Sequence, residues 1–231
     1  MIIVVGGEKG GTGKSCLAQN LAVYFNNEQQ ASVVIVDCDP QQATMQWCQE
    51  RDMNRSLPNL KCVQLSGKIR NELLSLSNHY DVVIVDCGGR DNMALRSSIS
   101  VAHHVLIPVQ PKRRDLKTVP LVEDIISTCR MVNPNMNAAF VLTQCSTIAS
   151  MAPRLIEAKE TCRGFEIQVL NSVTFSRSVY DDAEESGASV FEIEPKGKAA
   201  AELRGIIEEL LARNASNKID MSEPLHVQAF A

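Results

Sequence analysis

The chain of 231 residues is poor in aromatic side chains, which make up 4% of it, and it has no long hydrophobic run. Its longest unbroken apolar segments have about five residues, whereas a membrane-spanning helix needs roughly 18–20. Positive charge is not in excess either, because 23 Lys and Arg residues stand against 27 Asp and Glu residues. These absences exclude a membrane-spanning helix and a uniformly basic nucleic-acid-binding surface, although they leave room for a local basic patch.

Paired cysteines are also lacking, since the eight cysteines form no CxxC pair and the four histidines show no metal-ligand spacing. The chain begins with an apolar run, Met1–Val5, that has no basic flank and meets Glu8 and Lys9 at once. We therefore expect a first strand rather than a signal peptide. We also expect reduced, mostly buried thiols rather than zinc ligands or disulfides, and a cytoplasmic protein.

Short apolar runs rich in β-branched residues alternate along the chain with longer helical stretches. The runs that predict strands are 2–5, 32–36, 62–65, 82–85, 104–109, 138–142 and 166–170. The stretches that predict helices are 14–26, 41–52, 68–78, 92–101, 115–132, 148–162, 177–187 and 196–213. Several strand runs lack alternation of apolar and polar residues, as buried parallel strands do. The pattern predicts an α/β fold in three layers, with a mostly parallel sheet flanked by helices.

Residues 1–213 are expected to form a single domain. From 214 to 231 the chain contains Pro224 and loses helical periodicity, which predicts a mobile carboxyl-terminal tail, with a short partner-binding peptide as the alternative. Because this tail has a proline and one lysine, Lys218, it does not match a basic amphipathic helix, and we expect no membrane anchor.

The strongest functional signal is a glycine-rich segment, Gly6–Ser15, between the first predicted strand and the first predicted helix. Glycines let the loop curl so that backbone N–H groups face phosphate oxygens, and the helix adds the positive end of its dipole. Lys14 supplies a positive charge to the β- and γ-phosphates, and the Ser15 hydroxyl can bind magnesium. Glu8 stands where the GxxxxGK(S/T) motif has its first glycine, so a flexible glycine turn is the alternative.

Two further predicted strands end in carboxylates. Asp86 follows the predicted strand 82–85 and is itself followed by Cys-Gly-Gly. An Asp at the carboxyl end of a strand beside the phosphate loop can hold magnesium, usually through water, and Gly89 can bring its N–H close to the γ-phosphate. Asp37 and Asp39 follow the second strand and point the same way in an extended segment. One of them can organise the magnesium shell while the other orients the attacking water. Helix capping is the alternative for both and weighs more for Asp37.

Together these segments resemble the ParA/MinD family of deviant Walker-A ATPases. Lys9–Ser15 is similar to the family's KGGxGK(S/T) loop, Asp37–Gln41 to the DxDPQ motif of its ParA branch, and Asp86–Gly89 to its Walker B segment. Ile107–Pro111 is similar to the I-P-V-x-P segment that follows the family's fifth strand. The resemblance covers residues 1–213 and is greatest to the small plasmid-partition proteins that lack an amino-terminal DNA-binding domain.

The resemblance implies ATP and Mg²⁺ as cofactors and assigns roles by position. Asp39 would position the hydrolytic water with support from Asp37, and Lys9 would reach across an ATP-dependent homodimer to the partner's phosphates. The implied catalytic residues are Lys9, Lys14, Asp37 and Asp39. The implied magnesium-binding residues are Ser15, Asp37 and Asp86. The implied ATP-binding residues are Lys9, Gly10, Gly11, Thr12, Gly13, Lys14, Ser15, Cys16 and Gly89, together with Pro108, Pro111 and Thr143 around the adenine.

Three positions depart from the family's pattern. Glu8 places a negative charge near the polyphosphate, Cys16 replaces a frequent threonine, and Gln42 replaces a frequent glycine. We expect the first two departures to weaken nucleotide affinity without abolishing the chemistry.

The same resemblance implies nonspecific DNA binding by the ATP-bound dimer, nucleoid association, a small centromere-binding adaptor, and segregation of plasmid or chromosomal DNA. The basic side chains that can contact DNA fall into two groups, for each of which a solvated charged surface is the alternative. The first group is Lys112, Arg113, Arg114 and Lys117, and the second is Arg177, Lys196 and Arg204. Two other functions stay open: a MinD-like positioning ATPase, and a P-loop metabolic enzyme or iron–sulfur carrier built on the same core.

Overall fold

A computed structural model of the protein describes residues 1–89 and 93–219, with side chains as far as residue 212. In this part of the chain, seven strands form one sheet in the order β3-β2-β4-β1-β5-β6-β7, and every pair of neighbours is parallel. The strands are β1 Ile2–Gly7, β2 Val33–Asp37, β3 Lys61–Gln64, β4 Val82–Gly89, β5 His104–Val109, β6 Asn137–Leu142 and β7 Gln168–Val169. The predicted α/β fold with a parallel sheet is confirmed.

The helices cover both faces of this sheet. They are α1 Lys14–Val23, α2 Ala43–Met53, α3 Arg70–Ser77, α4 Met93–Ile99, α5 Arg113–Leu116, α6 Val119–Arg130, α7 Ala152–Arg163, α8 Ser178–Glu184, α9 Val190–Ile193 and α10 Lys198–Ile219. One core layer is formed with α3, α4, α6 and α7, and the other with α1, α2, α8, α9 and α10. Since both faces are covered, β1, β2 and β4 are apolar along nearly their whole length, which explains their lack of alternation.

Three helix boundaries differ from the prediction. The stretch 115–132 is two helices, because Pro120 in the first turn of α6 lacks the N–H that would continue α5. The helix α9 was not predicted, although Ser189 and Glu192 form a capping box at its start. The last helix runs to Ile219 instead of ending at 213, and residues 220–231 of the predicted tail lie outside the described residues.

In the part of the chain that the structure describes, no helix combines the length and the apolar character needed to cross a membrane. The carboxyl ends of the central strands β2, β4 and β1 meet at one edge of the sheet, where α1 also begins. In open parallel sheets this edge is where ligands bind.

Candidate functional site

The loop between β1 and α1 is shaped to receive an anion. Gly11 and Gly13 have φ angles of +75° and +86°, in the left-handed region that favours glycine. Gly13 is the N-cap of α1, and no side chain in the described residues caps this helix. The N–H groups of Lys14, Ser15 and Cys16 therefore lack intrahelical partners at the positive end of the helix dipole. A phosphate group in the curve of the loop would satisfy them.

The end of β4 packs directly against this loop. β1 and β4 pair as far as Gly7 and Gly89, with an irregularity in register between Val5 and Gly7. A Cβ atom at Gly89 would lie 2.9 Å from the backbone N of Gly10, closer than Cβ atoms approach other atoms in proteins. Glycine at position 89 thus allows the Walker B segment to touch the phosphate loop.

The Asp86 carboxyl group, in the same strand as Gly89, has an oxygen atom that can bind a cation. It is buried; its Oδ2 accepts a hydrogen bond from Thr44 Oγ1 at 2.7 Å, and its Oδ1 has no partner among the described residues. Burial raises the pKa of Asp86 to about 6, while hydrogen bonds from Thr44 and Ser15 oppose the rise. An unpaired carboxylate oxygen beside the Ser15 hydroxyl is a hard oxygen donor set that fits Mg²⁺, together with water and phosphate oxygens.

Asp37 lies at the carboxyl end of β2, next to the turn that leads to α2. Its side chain is fully buried; Oδ1 accepts the N–H of Asp39 at 2.9 Å, and Oδ2 accepts the N–H of Met45 at 2.8 Å. Burial raises the pKa of Asp37, and these backbone hydrogen bonds oppose the rise. Both oxygens therefore hold backbone N–H groups between β2 and α2, and the roles of Asp37 in magnesium binding and catalysis stay predictions.

Asp39 lines the cleft above the loop. Its Oδ1 accepts the N–H of Gln41 at 2.9 Å, and a Cβ atom at Gly88 would lie 2.9 Å from its Oδ2. The carboxylate is therefore held between the start of α2 and the end of β4. A water in the cleft beside this carboxylate could be oriented for attack on a bound phosphate.

Lys14 is 6% exposed, and its ammonium group donates to the backbone oxygen of Lys9 at 2.7 Å. Burial lowers the pKa of Lys14, and the nearby carboxylates, chiefly those of Asp86 and Asp39 and also Glu8, oppose this shift. Lys9 is half-buried and lines the same cleft. A lysine that already rests on a loop carbonyl needs only a small movement to reach a phosphate in the loop.

The cleft has a volume of about 1290 Å³, enough for a nucleotide. Of the three residues predicted around the adenine, only Thr143 lines it, and its hydroxyl donates to Thr12 O at 2.8 Å. Pro108 lines a small cavity behind the loop, and Pro111 lines neither space. The contact of these two prolines with the adenine stays a prediction.

The cleft is also lined by residues between β7 and α8 and on α8 that were not predicted to bind nucleotide. They are Thr174, Phe175, Ser176, Arg177, Ser178, Tyr180, Asp181 and Glu184. Burial raises the pKa of Tyr180 well above its usual value, and its hydroxyl has no hydrogen-bond partner in the described residues. Burial also raises the pKa of the Cys16 thiol to about 12, so this thiol is neutral at the cleft wall.

The basic residues predicted for DNA binding lie on opposite faces of the sheet. The first group, Lys112, Arg113, Arg114 and Lys117, lies on and beside α5 and is exposed. In the second group, Arg177 is paired with Glu202 and lines the cleft, and Arg204 is paired with Glu28. Lys196 is exposed at the turn before α10. The two arginines of the second group are thus paired within the chain, and in the first group Arg114 is paired with Asp115 at 3.5 Å while Lys112, Arg113 and Lys117 are exposed.

Comparison with known proteins agrees with this geometry. The family of the CobQ/CobB/MinD/ParA nucleotide binding domain matches residues 3–222. Over 213 residues, the chain is 30% identical to the maintenance of carboxysome distribution protein A of Halothiobacillus neapolitanus, covering 90% of this chain and 95% of that protein.

Two solved structures share the fold. An ATP complex of McdA from Cyanothece has a TM-score of 0.72 at 16% identity, covering 91% of this chain and 96% of that chain. MinD from Pyrococcus horikoshii with Mg-ADP has a TM-score of 0.67 at 16% identity, covering 93% and 97%. The chain belongs to the CobQ/CobB/MinD/ParA family of nucleotide-binding domains.

Proposed function

We propose that the protein is a positioning ATPase that binds ATP with Mg²⁺, dimerises in that state, binds DNA without sequence preference, and hydrolyses ATP slowly. The observation that carries the proposal is the buried Asp86 carboxyl group, which interacts with Ser15 and Lys14 of the phosphate loop and whose Oδ1 has no hydrogen-bond partner among the described residues. A cation between Asp86 and bound phosphates would satisfy both at once.

The proposed hydrolysis uses few groups. Lys14 and the loop N–H groups bind the β- and γ-phosphates, Asp39 orients the attacking water, and Ser15 and Asp86 hold Mg²⁺, which neutralises phosphate charge. Arg177, which lines the cleft, is already paired with Glu202. In our proposal Lys9 from the partner subunit supplies a positive charge to the transition state, so that hydrolysis depends on dimerisation.

In this proposal the ATP-bound dimer binds to nonspecific DNA. The exposed basic patch at α5, formed by Lys112, Arg113, Arg114 and Lys117, provides phosphate contacts of the sequence-independent kind. A small adaptor protein on the cargo stimulates hydrolysis and releases the dimer from DNA. With a centromere-binding adaptor the cargo is a plasmid or chromosomal DNA, and this version is supported by the Asp37–Gln41 motif of the ParA branch.

A second cargo is favoured by a specific observation. The relative from Halothiobacillus neapolitanus, matched over 95% of its length, is named for carboxysome distribution. In this version the same ATP-dependent DNA binding positions a large protein body instead of a DNA molecule. The adaptor then binds the surface of that body, and the nucleotide and DNA steps are unchanged.

The test is retention on nonspecific DNA with ATP, with ADP, and without nucleotide. We expect retention with ATP only, and a variant with Lys112, Arg113 and Arg114 replaced by Gln should lose most of it. Removal of three phosphate contacts from each subunit of the dimer should lower the slope of log affinity against log salt by about 5.4. The control variant replaces Arg55, Lys61 and Lys68, which are exposed elsewhere, and should retain DNA binding.

Other outcomes separate the alternatives. Retention that does not depend on nucleotide would contradict the proposed cycle. Dependence on lipid vesicles would favour a MinD-like ATPase, and iron or sulfide in the purified protein would favour an iron–sulfur carrier. Co-sedimentation with plasmid-bound adaptor or with a protein body distinguishes the two cargoes.

A further inference from the structure

Two backbone carbonyl groups of the phosphate loop accept hydrogen bonds from side chains that follow the strands β5 and β6. Gly11 O accepts from Gln110 Nε2 at 2.6 Å and from Gln144 Nε2 at 3.1 Å. Thr12 O accepts from Thr143 Oγ1 at 2.8 Å. Gln110 follows β5, and Thr143 and Gln144 follow β6, so these contacts join segments about 100 or more residues apart along the chain.

The orientation of the Gln110 amide follows from its neighbours. Its Nε2 lies 2.6 Å from Gly11 O and 2.7 Å from Gln144 Oε1, which are both acceptors, so the nitrogen must face them. The side chain is 4% exposed, and its Oε1 has no partner among the described residues. A buried amide that leaves an oxygen unsatisfied is unfavourable for stability, which points to a role beyond packing.

Gln144 is also in an unfavourable conformation. Its φ angle is +51°, in the left-handed region that non-glycine residues seldom adopt. In this conformation its side chain reaches over the loop, where a Cβ atom at Gly13 would lie 3.6 Å from Gln144 Nε2. Strain of this kind persists where surrounding contacts hold it, and it is concentrated at functional sites.

The planar trans peptide explains what these contacts achieve. In each peptide unit the C=O and the following N–H point in opposite directions. When Gly11 O is held by Gln110 and Gln144, the N–H of Thr12 is turned away from these two side chains. When Thr12 O is held by Thr143, the N–H of Gly13 is likewise turned away from Thr143. Neither N–H donates to another described residue, so both are available to an anion.

We infer that Gln110, Gln144 and Thr143 are positioning residues that lock the Gly11–Thr12 and Thr12–Gly13 peptide planes with their N–H groups facing the phosphate of a bound nucleotide. This inference rests on the proposed function for the identity of the anion. It gives Thr143 a role at the phosphate loop in addition to the predicted contact with the adenine. Preorganised donors bind a developing or permanent anionic charge without reorganisation when the ligand arrives.

The first test uses the nucleotide-free protein and needs no ATP binding. In ¹⁵N-labelled protein, the amide resonance of Thr12 should shift in Gln110→Leu, and that of Gly13 should shift in Thr143→Val. Thr143→Ser, which keeps the hydroxyl, should restore the Gly13 signal. Unchanged loop amides in Gln110→Leu and Thr143→Val would overturn the inference, whatever the protein binds.

The second test measures affinity for Mg·ADP and for adenosine by calorimetry. Each lost hydrogen bond should weaken Mg·ADP binding about tenfold, while adenosine affinity stays the same, because adenosine has no phosphate. Compared with the wild type at the same pH, Gln110→Glu should bind Mg·ADP more weakly near pH 8, and this difference should narrow near pH 5, where a protonated carboxyl can again donate to Gly11 O. Gln49→Glu, an exposed site on α2, is the control for the added charge.

These readouts distinguish the inference from the proposed function. Absence of nucleotide binding by the wild-type protein would refute the proposed function, and the amide resonances would still decide the inference. Equal losses for Mg·ADP and adenosine would show a general structural defect and would overturn the positioning role.

Discussion

Removing one partner of the buried ion pair between Arg51 and Glu192 should be among the most destabilising single changes in the chain. The Arg51 side chain is 0% exposed, and its two terminal nitrogens donate to Glu192 at 2.8 and 2.6 Å. Glu192 also accepts from the N–H of Ser189 and from Asn27 Nδ2, each at 3.0 Å. This carboxylate therefore joins α2 to α9 and to the π-helical turn that follows α1.

The variant Glu192→Gln keeps the shape of the side chain but removes its charge and places an NH₂ group against N–H donors. The charged guanidinium of Arg51 is then buried without a carboxylate, and its acceptors are the carbonyl oxygens of Pro58 and Gly187 and at most one amide oxygen of Gln. Breaking a buried pair in this way costs about 3–5 kcal/mol. For a chain of this size the melting temperature should fall by roughly 6–20 °C.

The matched control is Glu28→Gln. Glu28 pairs with Arg204 at the surface, where both side chains are 31% exposed, and such pairs contribute about 0–1 kcal/mol. Urea unfolding followed by circular dichroism at pH 7 gives both values on one scale. A loss for Glu192→Gln no larger than that for Glu28→Gln would refute the reasoning. The double variant Arg51→Met with Glu192→Leu should recover part of the loss, because no buried charge remains.

Three further results are expected. Lys14→Ala should weaken Mg·ATP binding roughly 100-fold in calorimetry, since it loses a charged hydrogen bond to phosphate. Asp39→Ala should still bind ATP and dimerise but release phosphate at least about 100-fold more slowly. Burial lowers the pKa of His104 to about 4. As the pH falls, the imidazole is protonated in the unfolded chain before it is protonated in the folded protein, so the free energy of unfolding should fall by about 3 kcal/mol between pH 7 and 4. His104→Gln should flatten this pH dependence in urea titrations.

Each of these results can fail independently. Unchanged ATP affinity in Lys14→Ala would contradict the loop as the phosphate site, and normal turnover in Asp39→Ala would contradict its role with water. If His104→Gln left the pH dependence of stability as steep as in the wild type, the buried imidazole would not be its source.

The sequence predicted what local pattern and chain order determine. Apolar runs such as Val82–Val85 predicted the buried strands. The glycine-rich loop that contains Lys14 and Ser15 follows the first strand, β1. The ends of parallel strands meet at one edge, so the proximity of Asp39 and Asp86 to the loop could also be expected.

What could not be predicted depends on contacts between distant segments. The contact of Gln110 with Gly11 joins residues 99 apart, and it depends on the direction in which the chain leaves β5. The same direction explains why Pro111 does not line the cleft. The burial of Arg51, a residue type that is usually exposed, depends on α9, whose capping box Ser189–Glu192 was a local signal that the helix assignment missed.

The central claim is tested most directly by a crystal structure of Asp39→Ala grown with Mg²⁺ and ATP. The account predicts two subunits facing each other, with the triphosphate against the N–H groups of Thr12 and Gly13, Mg²⁺ near Asp86, and Lys9 of each subunit at the phosphates of the other. A nucleotide bound outside the loop, or Lys9 facing bulk solvent in every assembly of the crystal, would contradict it.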